Sequence, residues 1–187
     1  MPRQVYFFDR PDRFVTGTVG EPGDRTFYLQ ASGEGRTVSV ALEKVQVSML
    51  ADRLEELLEE VIRQLSEELP TETGPTDADP LDSPVEEEFR VGAMGLAWDG
   101  EARLVVIEAQ AAGEQPADEA TILADVEDGP DALRVRISAE TARAFIERAR
   151  RVVSAGRPPC PLCGGTLDRA GHICPRQNGY RRAKPDP

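Results

Sequence analysis

All three cysteines and the single histidine of this 187-residue chain fall within fifteen residues near its C-terminal end, as Cys160-Pro-Leu-Cys163, then eight residues, then His172-Ile-Cys174. The two-residue gap lets the thiolates of Cys160 and Cys163 face one ion from a tight turn, and His172 and Cys174 supply the other corners of a tetrahedron. The pattern predicts a closed Cys3His site for one structural zinc. A disulfide with a leftover thiol is the competing reading, but no secretory context favours it. Gly164 and Gly165 stand where a knuckle must turn tightly and leave backbone N–H groups free to donate to sulfur. Asp168, inside the spacer, is a conceivable substitute for His172, although Asp in such a spacer usually shapes the turn.

Charge divides the chain at the same place. Residues 157–187 hold six basic against two acidic residues, a local +4, so the other 156 residues carry −16 of the overall −12. A body this acidic repels phosphate backbones, which leaves only the basic tail for contact with nucleic acid. The start, MPRQVYFFDRPDRF, lacks the apolar run of a signal peptide, and no stretch approaches a membrane span. A cytoplasmic protein without membrane contact is the expectation.

Ahead of the cysteines the chain reads as strands, then a helix, twice over. Val5–Phe8, Phe14–Val19, Arg25–Ala31 and Thr37–Leu42 have strand composition and are separated by Pro-Asp, Glu21-Pro-Gly-Asp24 and Ser32-Gly-Glu-Gly35 turns. From Ser48 the period changes, and Leu50, Leu54, Leu57, Leu58, Val61, Ile62, Leu65 and Leu69 recur every three or four residues between glutamates. That is an amphipathic helix, whose glutamates are most simply a solvated face. Pro70 to Pro84 has no apolar period and reads as a flexible acidic linker. Beyond it come strands at Phe89–Ala97, Arg103–Ala109 and Leu133–Ile137, then a helix from Ser138 to Val153.

The halves align: Gly17-x-x-Gly20 with Gly92-x-x-Gly95, Arg25–Ala31 with Arg103–Ala109, and Val38-x-Val40 with Val135-x-Ile137. Neither half alone buries much core. The expected fold is α+β, two pseudo-repeated antiparallel-strand-plus-helix halves forming one unit with a small C-terminal zinc knuckle. Residues 1–69 form the first half, 70–84 the acidic Pro-rich linker, 85–156 the second half and 157–187 the zinc-binding tail.

No catalytic or cofactor-binding residue can be named. With His172 assigned to metal, no Ser-His-Asp or Cys-His arrangement can be built. GTVGEPG matches neither a dinucleotide fingerprint nor a Walker loop and reads as a turn. Asp9, Arg10, Asp12 and Arg13 cluster around Pro11 as a charged strand-end turn or a polar site. Trp98, beside a turn, either covers a core edge or is exposed for binding.

Three strings, RFVTGTVGEPGDRTFYLQA, LADRLEELL and RPPCPLCGGTLDRAGHICPRQNGYRR, resemble the DUF3090 family of actinobacterial and related proteins, and the likeness covers essentially the whole chain. The resemblance implies a shared Cys, Cys, His, Cys tail, here Cys160, Cys163, His172 and Cys174. It also implies gene neighbours that are kinase-like and histidine-phosphatase-like, and hence a protein partner of one of those kinds in a small phospho-dependent pathway. Three function classes follow. The favoured one is a non-catalytic adaptor or regulatory protein. The others are a metal-dependent or phosphate-directed enzyme with unidentified catalytic residues, and nucleic-acid binding through the basic tail.

Overall fold

Three residues separate strand β1 (Val5–Asp9) from β2 (Arg13–Glu21), yet the two strands occupy opposite ends of the sheet. The computed structural model describes residues 2–65, 68–113, 122–156, 159–165, 167 and 172–176. Strands β2, β3 (Asp24–Gly33) and β4 (Arg36–Leu42) form an antiparallel meander, followed by helix α1 (Lys44–Leu65). Strands β5 (Glu87–Asp99), β6 (Leu104–Ala111) and β7 (Ala132–Ile137) form a second one, followed by helix α2 (Ala139–Ser154). The fold is α+β, with one seven-stranded mixed sheet ordered β1-β7-β6-β5-β4-β3-β2.

Each half is antiparallel, as the turns predict, but the joints are not. β4 runs parallel to β5, and β1 runs parallel to β7. Flat, seven strands would hold the edges about 29 Å apart at the usual spacing, whereas the four Cα steps from Asp9 to Arg13 reach at most about 15 Å. The sheet therefore curls until its edges approach. Arg36 fastens the approach: it donates to the Phe7 carbonyl and lies 4.5 Å from the Phe8 ring centroid.

The concentration of leucine in α1 dictates which face of the sheet is covered. Val47, Leu50, Ala51, Leu54, Leu58 and Val61 recur on one side of α1 and are buried, and Ala142, Phe145, Ile146 and Ala149 do the same on α2. Both stripes lie against Phe27, Leu29 and Ala31 of β3 and Val105, Ile107 and Ala109 of β6, in one continuous core. Phe145 stacks on Phe14 with centroids 4.9 Å apart. Ser138 caps α2 by accepting from the Thr141 N–H.

Strand alternation sends the intervening residues to the other face, where buried polar side chains, Gln30 and Ser39 in one half and Glu108 and Gln110 in the other, lie among apolar ones such as Val15, Ala41, Leu104 and Ala132. Irregular chain covers both. Over the first half lies the 70–84 segment expected as a flexible linker, and it is bound down. Leu81 is buried against Gly17, where a Cβ would stand 2.7 Å from Leu81 Cγ, so only glycine permits this approach. Asp82 exchanges hydrogen bonds with Gln30, its N–H donating to Oε1 at 2.8 Å and its carbonyl accepting from Nε2 at 3.1 Å. The composition weighed only apolar burial; what orders the segment is hydrogen bonding to arginines from distant elements. Over the second half, Ile122 and Leu123 pack against Gly95 in the corresponding way.

Candidate metal centre

After α2 ends at Ser154, capped at Ala155, the chain folds on itself through backbone bonds. Cys160 N–H donates to the Gly165 carbonyl at 2.7 Å, and Gly164 N–H donates to the Cys160 carbonyl at 2.8 Å. Gly164 has φ +73°, a left-handed conformation that reverses the chain after the second cysteine. The turn aims two further N–H groups at sulfur: Leu162 donates to Cys160 Sγ and Gly165 to Cys163 Sγ, each at 3.4 Å. A Cβ on Gly165 would lie 3.3 Å from Cys163 Sγ and crowd that contact. Backbone donation from Cys163 and Leu162 holds the Cys160 thiol below its ordinary range, which favours thiolate.

The second ligand pair returns to this turn. His172 Nε2 lies 3.2 Å from Cys163 Sγ, and Cys174 Sγ lies 3.9 Å from Cys160 Sγ. All four ligand atoms fall within 4.8 Å of one another. Around a tetrahedral ion with metal–sulfur bonds of about 2.3 Å, neighbouring sulfurs sit about 3.8 Å apart, close to the Cys160–Cys174 separation. The thiols are free rather than bridged, which removes the disulfide reading for this structure. Cys160 and Cys174 are buried, and Cys163 and His172 are half-buried. These four side chains can hold a metal ion. Asp168, the conceivable substitute, lies outside the described residues, as do Arg157, Arg169, Arg181, Arg182 and Lys184.

The family profile described as "Protein of unknown function (DUF3090)" matches residues 6–174, from β1 through the last cysteine. The chain belongs to the DUF3090 family. No curated protein and no solved structure matches this DUF3090 chain.

The charged turn around Pro11 is not one site. Asp9 and Asp99 flank Arg136 at 3.6 and 2.8 Å, and Arg13 reaches the 70–84 segment. Arg10 lines a cavity of about 570 Å³ with Arg103, Ser138 and Thr141 at the start of α2. Trp98 is half-buried against the core edge, its first reading. Of GTVGEPG only Pro22-Gly23 make the β2–β3 turn; Gly17 to Glu21 are the end of β2, paired with β3.

Two polar networks escaped the sequence reading. In the first, Arg13 grips Asp77 with Nε–Oδ2 at 2.6 Å and Nη2–Oδ1 at 3.0 Å, while buried Arg148 donates to the same Oδ1 at 2.6 Å. Arg148 also donates to the carbonyls of Thr16, Asp77 and Asp79 at 2.7–2.8 Å. Hydrogen bonding from Arg13 holds the Asp77 carboxyl below the usual range. In the second, fully buried Glu108 accepts from Arg3, from Arg134 Nε at 2.7 Å and from Gln110 at 2.8 Å. Burial pushes its carboxyl up, and donation from Gln110, Arg134 and the Leu123 N–H outweighs that, leaving it lowered. A signal was available: Gln30 and Glu108 occupy equivalent positions in the aligned strands, each following an apolar run and preceding alanine, in FYLQA and VVIEA.

Proposed function

We propose that this DUF3090 protein is a non-catalytic adaptor or regulatory protein whose C-terminal knuckle holds one structural zinc. Its location in this reading is the cytoplasm, where thiols remain reduced; among the described residues no helix is long and apolar enough to cross a membrane. One observation carries the reading. Every cysteine and the only histidine converge on a single four-ligand cluster, which leaves none as nucleophile or imidazole base. Three sulfurs and one nitrogen within 4.8 Å of one another suit the tetrahedral shell of zinc, and four protein ligands would leave no open position for a water or substrate. The described carboxylates deepest in the molecule, Asp77 and Glu108, are consumed by arginines that tie elements together.

The partner in this reading is a protein, with a kinase-like or phosphatase-like one favoured by the gene neighbourhood of the family. Elemental analysis of metal-replete protein should return one zinc per chain, and Cys163→Ser should release it while the body stays folded. Affinity capture from the native cell, with the bound proteins identified and reconstituted from purified components, tests the adaptor role. Capture of substrate-like small molecules with turnover, and no protein that rebinds, would overturn it.

A further inference from the structure

Apart from Met1, the chain has two methionines, Met49 on α1 and Met94 on β5, and both line one groove of about 720 Å³ between those elements. Leu50, Leu57 and Leu96 complete its apolar surface. Met49 is 52 % exposed although it follows the same helix whose other side is packed with leucines. Unbranched, polarizable methionine adapts to varied apolar surfaces and is over-used where a protein must accept another one.

The rim supplies the second half of the argument. Along α1 the groove is bordered by Arg53, Glu56 and Glu60, and Arg53 is spent on Glu56 at 3.1 Å. On the opposite flank of the helix Asp52 and Glu55 share the one cation Arg150 of α2, and on the groove side Arg53 offsets one of Glu56 and Glu60, so the groove rim keeps one net negative charge. An apolar floor with a carboxylate rim is complementary to an amphipathic helix carrying Lys and Arg beside its apolar stripe. A second copy of this chain is disfavoured, since it would set one acidic helix against another. The chain's own basic end, residues 177–187, offers Tyr180 as its one large apolar group and no helical stripe.

We propose that the α1–β5 groove receives a basic amphipathic helix of a partner protein. The lining runs from Gln46 to Glu60, about 21 Å of helix, which matches about four turns of a ligand helix. Apolar side chains at i, i+4, i+7 and i+11 enter between Met49 and Met94, and flanking cations meet Glu56 and Glu60. The proposal rests on the adaptor reading and identifies its docking face.

The test is fluorescence anisotropy of full-length, zinc-loaded protein with a labelled Leu/Lys peptide of about sixteen residues having that stripe, against a scrambled peptide of equal composition. Micromolar binding of the striped peptide is expected, with the scrambled one at least tenfold weaker and Trp98 emission, two residues along β5 from Leu96, shifting on binding. Met49→Gln, at an exposed helical position, should weaken binding about tenfold, and Glu56→Gln with Glu60→Gln should reduce both affinity and its salt dependence. Equal binding of both peptides, no binding of either, or variants that bind like wild type would overturn the assignment. So would self-association abolished by Met49→Gln, which makes a second copy the occupant. A gain in peptide affinity on neutralising Arg181, Arg182 and Lys184 would show the chain's own tail there, and also overturns it. A captured partner that binds the Met49→Gln protein unchanged removes the groove and leaves the adaptor reading standing, whereas absence of any partner removes the adaptor reading itself.

Discussion

Replacing Arg148 by methionine should loosen the 70–84 segment and destabilise the whole body. The side chain is 6 % exposed and donates to Thr16 O, Asp77 O, Asp77 Oδ1 and Asp79 O, so it joins α2 to β2 and to the segment at once. Methionine keeps most of the aliphatic volume and removes every donor; Asp77 O keeps Arg151 and Asp79 O keeps Arg13, while Thr16 O loses the arginine that reaches it. Hydrogen bonds to charged groups contribute about 1.5–3 kcal/mol each and are not additive within a network, and breaking a buried ion pair by removing one partner costs about 3–5 kcal/mol. Asp77 retains Arg13, which softens the loss, and about 3 kcal/mol is expected. For a chain of this size that is a fall in Tm of roughly 6–12 °C. The assay is a thermal melt by circular dichroism, read beside amide exchange of residues 70–84. Arg53→Met, at an exposed helical pair, serves as control and should change little. A fall under about 2 °C with exchange of the segment unchanged would refute the reasoning, because the segment would then be held by something other than these bonds.

Gly17→Ala should cost about 1–3 kcal/mol by forcing Leu81 from its place, and Leu81→Ala in the same chain should recover part of it; a neutral Gly17→Ala in urea unfolding counts against the close approach. Acid should act through Asp77 and Glu108. Both carboxyls are lowered in the folded chain, so their contribution is complete above the unfolded values near about pH 4 and is lost as pH falls through the lower folded ones. Asp77→Asn should therefore be less stable than wild type at neutral pH and show a shallower acid limb, measured in the Cys163→Ser background so that metal release does not contribute; parallel acid limbs would contradict this. Finally, at about 0.15 M salt the intact protein should show no sub-micromolar affinity for a labelled single strand or duplex, given a body of −16 against a tail of +4. Tight binding of either would move the adaptor reading to a nucleic-acid one.

What could be read from the chain alone was whatever depends on neighbours a few residues apart. The ligand spacing around Cys160, Cys163, His172 and Cys174, the leucine period of α1, the strand alternation and the hairpin turns are local, and each has a short-range physical cause in turn geometry or in the periods of 3.6 and 2. The doubled strand-helix pattern was visible for the same reason, because it repeats those local signals. Tertiary structure decided what depends on distant partners. The pairing of β1 with β7 joins Val5 to Ala132 and curls the sheet, and nothing in either strand's composition selects a parallel neighbour over the adjacent β2. The segment from Pro70 to Pro84 looked loose because it has almost no apolar residues, yet Arg13 lies 64 residues before Asp77 and Arg148 lies 71 after it. An ionic bond between such residues leaves no period in the sequence. The groove beside Met49 is of the same kind: its helix is legible, but that Met94 stands across from it is known only once β5 has taken its place in the sheet.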